Sequence, residues 1–378
     1  MFMLLNFDLS NYLLNLIVFL LVIISIKIIT AKDLLEAIIY TSVFSLLIGI
    51  SYLLMDAPDV AMTEAALGAC LSTCVYLNLL RKLPSNLKLI QRTRIIPASL
   101  ICLLFVATLI YMGLELPDYG DEHALLHTHL TKYYVENTSK DIGIPSFVAA
   151  ILASYRGYDT LGETSVILIA GISVLLVFSR SNIIPCMEQE TLSMSFQRRR
   201  ESSIKQDKSS FNFKNLFLLL DSRLRWNDIK TIQQCQQGHG MTKITKNISI
   251  FIVPYIILYS LYIQLNGEAS TGGGFQAGVI FASSLIAYDL VYGSQKLNRY
   301  FSVNTLIIIA ALGVMIYGFT GVISLFFNDN YLNYYSLTNF VNDSLTAQHI
   351  GIFAVEIGIG LTVAAIMYSI YNSFNNCE

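Results

Sequence analysis

The sequence predicts an all-α, polytopic membrane protein with about nine transmembrane helices in two membrane units, and three observations predict it. First, 54% of the 378 residues are hydrophobic and only 13% are charged, whereas ordinary soluble domains hold about 25% charged residues. Second, nine apolar stretches approach the roughly 20 residues that a helix needs to cross the hydrocarbon of a bilayer. They cover residues 12–30, 34–55, 60–80, 95–113, 160–179, 248–265, 272–292, 303–327 and 347–371. Third, with the N-terminus outside, 21 of the 24 Lys and Arg residues fall on one side of the membrane, the asymmetry that sets topology.

Each element has its own signals. The first stretch has no basic leader and no small-residue cleavage site, so it reads as a retained helix and not a signal peptide. Helices one to three follow closely on one another, and the basic segment "RKLPSNLKLIQRTR" then separates them from the fourth. An outer loop of about 30 residues precedes the fifth helix. Residues 181–245 change character: "SFQRRRESSIKQDKSS" is polar and charged, and "FKNLFLLLDSRLRW" mixes apolar and basic residues as a surface-lying helix would. This segment reads as a cytoplasmic linker, either a plain fusion linker or a docking element. Four further helices and a cytoplasmic C-terminus complete the chain.

The net charge of −2 offers nothing to a polyanion, so nucleic acid is not an expected partner. Cys70, Cys74 and Cys102 lie in helices, and Cys186, Cys235 and Cys377 face the cytoplasm, which makes reduced thiols the expectation and not a disulfide framework. The chain has no Cys-x-x-Cys, Walker or dinucleotide motif, so no cofactor, redox chemistry or ATPase chemistry is expected. His123, His127 and His129 stand beside Asp121 and Glu122 in the outer loop, but adjacency alone does not converge ligands on a metal. That loop reads as solvated, and no metal site is assigned.

Polar residues inside a membrane are costly and mark function or a buried partner. Glu64 sits about five residues inside the third helix, and Gly68 and Ser72 continue its face. Arg156, Asp159 and Glu163 occupy the outer margin of the fifth helix, where a structural ion pair is the favoured reading for Arg156. Glu356 lies about nine residues into the ninth stretch and is expected near the bilayer centre. His349, Glu356 and Gly360 share a stripe that either passes a proton or cation inward or ties helices together. Glu36 and Asp289 lie near inner helix ends, where solvation is expected to be easy.

"STGGGFQAG" opens the seventh helix with three of the poorest helix formers in a row. Gly274, Gly278 and Ala282 form a small-residue stripe suited to a close helix contact. Gly272 and Gly273 precede it, where a sharp turn is needed and backbone groups can line a cavity.

These residues carry a family resemblance. "GEASTGGGFQAGVIFASSL" with "GIFAVEIGIGLTVAAIM" resembles the B-type component of the Mrp-type multisubunit sodium/proton antiporters, over residues 246–374. "DLLEAIIYTSVFSLLIGISYLLMDAPDVAMTEAALGACLST" resembles the small D-type component of membrane-bound hydrogenases, a module also present in the C-terminal region of the large A-type antiporter component. "HLTKYYVENTSKDIGIPSFVAAILASYRGYDTLGETSVILIAG" is similar to the neighbouring E-type hydrogenase component. The resemblance divides the chain into a D-type three-helix module (8–84), an E-type two-helix module (93–180), the linker (181–245) and a B-type four-helix module (246–374).

It implies a non-enzymatic membrane subunit of a monovalent cation (sodium)/proton antiporter in a bacterial cell membrane. Its implied partners are the lipid bilayer and the other subunits of an antiporter complex, including the long antiporter-like ones that carry the main proton pathway. Redox-driven hydrogenase or complex I-like pumps remain the alternative, and a purely structural scaffold is a third reading. The positions that match family motifs are Asp59, Glu64, Arg156, Asp159, Glu163, Gly272, Gly273, Gly274, Phe275 and Glu356. Thr271 stands where the family often has proline, and Glu268 where it often has histidine. Candidates for an ion path or coupling are therefore Glu64, Glu163, Glu356, His349 and Asp159, with Arg156 as a structural ion pair and Gly272, Gly273, Gly274 and Gly278 as close-packing glycines.

Overall fold

The computed structural model describes residues 2–31, 33–80, 92–117, 121, 123–124, 127–177, 243–293, 297, 300–327, 329–341 and 343–375. Residues 81–91 and most of the linker at 181–245, including its expected surface helix and the linker cysteines Cys186 and Cys235, lie outside them, as does Cys377. Regular structure among the described residues is helical throughout. Helix α1 (Phe2–Thr30) pairs with α2 (Leu34–Leu54). Helix α3 (Pro58–Leu80) starts with Pro58 in its first turn, where a missing N–H costs nothing. Its middle, Ala65–Leu71, is wound as a π-helix directly after Glu64, a deviation often found at functional sites.

Helix α4 (Arg92–Gly113) is exposed along its described apolar length. The expected outer loop is in fact partly helical. Helix α5 (Lys132–Asp141) precedes a half-helix, α6, which runs from Phe147–Ala150 into the π-turn Ile151–Tyr155. The chain breaks at Arg156 and continues as α7 (Gly157–Val177). The sequence hid this because "FVAAILASY" is too short to read as a span and too polar at its ends to join the next one.

The second unit contains α8 (Lys243–Asn266), α9 (Gly274–Tyr292), α10 (Val303–Phe326) and α11 (Ser344–Asn375). Ser302 caps α10 by accepting the Thr305 N–H at 3.2 Å. Among the described residues, eight helices are long and apolar enough to cross a membrane, and α4 contributes a shorter apolar run from Pro97 to Gly113. The protein is thus a multi-pass membrane protein.

Helix α11 is the centre, with α9 and α10 packed on it, and glycine sets how closely they approach. A β-carbon on Gly278 would sit 2.7 Å from the Gly360 carbonyl, and one on Gly358 would sit 2.6 Å from the Gly313 carbonyl. Such separations are inside van der Waals contact, so only glycine allows these backbones to meet. The expected small-residue stripe at Gly274 and Gly278 is therefore a real packing seam.

The two membrane units interlock. The π-segment of α3 packs on α9, and its last turns pack on α11. Half-helix α6 also packs on α11. Its break exposes carbonyls that lipid could not satisfy. Tyr334 donates to the Ala153 carbonyl at 2.8 Å, Tyr317 to that of Gly157 at 2.6 Å, and Thr160 to that of Leu152 at 2.7 Å. Burial pushes the Tyr334 phenol far above its ordinary pKa, so it remains a donor at any physiological pH.

Candidate functional site: an acid-lined cavity at the triglycine turn

Helices α3, α6, α7, α9 and α11 line a cavity of about 490 Å³. Helix α3 contributes Asp59, Thr63 and Glu64, α7 contributes Thr160 and Glu163, and α9 and α11 contribute Gln276 and Glu356. Four carboxylates line it and no Lys or Arg does. In a low-dielectric medium such a lining repels anions and attracts protons or hard cations.

The triglycine turn makes the cavity possible. Gly272 and Gly273 have φ of +144° and +143°, a backbone region closed to other residue types. The turn is held from the other unit, because the Gly272 N–H donates to Asp59 Oδ1 at 2.8 Å. Gly274 then rests against the Glu356 backbone so closely that no side chain fits there. Gly267, in the same loop, faces the Glu356 carboxylate, and a β-carbon on it would lie 2.8 Å from Oε2.

Glu356 is 5% exposed, and its Oε2 atom is buried with no hydrogen-bond partner among the described residues. Such an atom in a polar cavity calls for a proton, a water or a cation. Gln276 joins it: a β-carbon on Gly273 would be 3.4 Å from Gln276 Oε1 and 3.7 Å from Glu356 Oε1, so both oxygens flank one spot. Gln276 escaped the sequence reading because a single amide in "GGGFQAG" resembles a packing residue.

Glu356 lies less than one turn from Gly358, whose backbone meets Gly313 in the middle of α10. It also lies level with Gly274, the first residue of α9, because α9 begins part-way along α11. The expected stripe on α11 holds in geometry. His349 Nδ1 meets Glu268 Oε2 at 2.6 Å, Glu356 follows two turns later, and Gly360 lies against the backbone of α9 and the side chain of Gln264.

Glu64 turns its Oε1 toward Gly68 and the neighbourhood of Ser45 of α2. Glu163 reaches the cavity, whereas Asp159 pairs with Arg156 on an exposed surface. Sequence proximity alone had left Asp159 and Glu163 equivalent as partners of Arg156; the helical turn assigns Asp159 to it. His127 and His129 lie in an exposed π-turn, and the described residues hold no cluster of three His, Cys, Asp or Glu able to bind a metal. Asp289 departs from expectation: it is 3% exposed and not solvated.

The multi-pass helical bundle thus surrounds an oxygen-lined, net-negative cavity at a helix break. Residues 244–369 match the domain related to the MnhB subunit of Na+/H+ antiporters, and residues 19–85 match the MbhD family, the D component of MBH. The chain is 31% identical over 115 residues to the B component of the Na+/H+ antiporter of Bacillus subtilis, covering 29% of this chain and 80% of that one. It belongs to the MnhB family of Na+/H+ antiporter subunits.

Further similarity extends beyond that domain. An uncharacterised protein of Methanocaldococcus jannaschii is 27% identical over 237 residues, which is 60% of this chain and 78% of that protein. The A1 component of the Na+/H+ antiporter of Staphylococcus haemolyticus is 30% identical over 158 residues, or 42% of this chain, and the match spans only 19% of that relative. The fold resembles a solved Mrp complex chain from a Dietzia species with a TM-score of 0.62, at 20% identity, over 95% of this chain and 34% of that one.

Proposed function

We propose that this chain is a membrane subunit of a multisubunit monovalent cation (sodium)/proton antiporter and that its acid-lined cavity contributes to the ion path or to coupling. The observation that carries the reading is the convergence of Glu64, Glu163 and Glu356 from three segments on one cavity, with Glu356 buried beside the triglycine turn. Similarity to both B-type and A1-type antiporter components favours an antiporter over a redox-driven hydrogenase-like pump. The chain acts with other subunits, including long antiporter-like ones, and catalyses no covalent chemistry of its own.

Residues 93–180 form the E-type module of this reading, supported by the way α6 and α7 close the cavity. The concentration of basic residues on one side supports an outside N-terminus and a cytoplasmic C-terminus in a bacterial cell membrane. Glu356→Gln tests the proposal, because it keeps the size and removes the charge. Sodium-dependent proton exchange in everted vesicles should fall at least about tenfold, as loss of a positioned proton-transfer group typically costs, while the complex still co-purifies. Unchanged exchange would overturn it.

A further inference from the structure

The end of α5, half-helix α6, α11 and the loop between α10 and α11 line a second polar cavity, of about 420 Å³. It shares no lining residue with the acid-lined cavity, and its volume is that of a small-molecule site. Ile142 and Leu332 give it buried apolar walls, and Tyr155, Tyr331 and Tyr335 add three aromatic rings. One carboxylate, Asp141, lines it, and no Lys or Arg does. The basic groups nearest in sequence to the lining residues are engaged or turned away: Lys140 is exposed, Arg156 pairs with Asp159, and His349 pairs with Glu268.

Hydrogen-bond accounting shows what the cavity can offer a ligand. Tyr155 donates to Asp141 Oδ2 at 3.1 Å, Tyr331 to the Gly318 carbonyl at 3.2 Å, and Tyr335 to the Asp141 carbonyl. Ser154 donates to Oε1 of the buried Gln348 at 3.3 Å, and the Asn333 amide donates to Asp329 Oδ1 at 2.8 Å. A hydroxyl has one proton and two lone pairs. The four hydroxyl protons are thus committed inside the protein, and amide protons of Gln348 and Asn333 are left beside a carboxylate and the lone pairs of three phenols and a serine. Such a lining is rich in acceptors and poor in donors. An anion finds little to bind there, and a sugar needs donors as much as acceptors. A positively charged nitrogen is attracted by the carboxylate and by aromatic rings alike.

We propose that this cavity binds a small organic monocation, an ammonium group on a compact apolar body, with Asp141 as counter-charge and Tyr155, Tyr331 and Tyr335 as aromatic wall. The ammonium comes either from a free solute or from the headgroup of an aminophospholipid, which present the same chemistry. The site stands independently of the antiporter reading, because none of its residues lines the cavity on which that reading rests.

The test is equilibrium binding of radiolabelled tetramethylammonium, in sodium buffer, to the whole complex purified through a tag on this chain and placed in phosphatidylglycerol nanodiscs. Saturable binding of one cation per chain is the expected result. Asp141→Asn should weaken it at least about tenfold. Tyr335→Leu should weaken it severalfold while Tyr335→Phe, which keeps the ring, retains it. Excess tert-butanol, which is similar in size but uncharged, should not compete. That last measurement needs no variant and decides the matter even if Asp141→Asn fails to assemble. Displacement of the probe when phosphatidylethanolamine is added supports the site and identifies the headgroup as the source; retention supports a free solute. Non-saturable binding, competition by tert-butanol, or unchanged affinity in both Asp141→Asn and Tyr335→Leu overturns the proposal.

Discussion

Helices α4 and α11 are both apolar enough to enter a membrane, yet α4 is exposed along its described apolar length and 61% of the apolar window of α11 is buried. Hydrophobicity does not distinguish them. In lipid there is no gain from burying a Leu against another Leu, so association depends on close packing and on polar contacts. Helix α11 has both, in Gly351, Gly358 and Gly360 and in Glu356, Gln348 and Thr362, whereas α4 presents "LICLLFVATLIYM" on every side. The packed centre of such a protein is therefore found by its small and polar residues and not by its hydropathy.

Substitutions along that contrast should grade in effect. Gly313→Leu introduces a side chain where even a β-carbon collides with α11, and overpacking of at least about 1–3 kcal/mol should abolish recovery of the folded chain in mild detergent. Asp59→Ala removes the acceptor of the Gly272 N–H. Loss of that charge-assisted bond, about 1.5–3 kcal/mol, should speed proteolysis of the 266–273 loop while the rest of the chain stays intact. Tyr334→Phe orphans the Ala153 carbonyl and should lower the thermal midpoint of the complex by the equivalent of about 1–2 kcal/mol. Leu104→Ala on α4 should change stability by less than about 0.5 kcal/mol. A large loss there would show that α4 has a partner helix in the complex.

The order of the membrane helices was legible because they are apolar runs bounded by charge or glycine; eight of the nine expected ones are long enough to cross a membrane among the described residues, and the fourth is the shorter run from Pro97 to Gly113. The triglycine turn and its seam were legible too, since only close approach or positive φ explains Gly272, Gly273 and Gly274 in a row. The broken helix at Arg156 was not, because its stability comes from Tyr317, Tyr334 and Thr160 donating to its carbonyls, and two of these lie more than 150 residues away. Glu64, Glu163 and Glu356 were each visible as an intramembrane acid, but their meeting in one cavity is a tertiary fact. Asp289 misled because proximity to a helix end suggested solvent, whereas the side chain is buried in the bundle.

The most direct test of the cavity as a cation site is labelling of Glu356 with a hydrophobic carbodiimide in the purified complex, quantified by mass spectrometry with and without sodium. The account predicts that Glu356 is labelled and that sodium protects it, with choline at equal ionic strength giving no protection. Labelling that is identical in sodium and choline would contradict it.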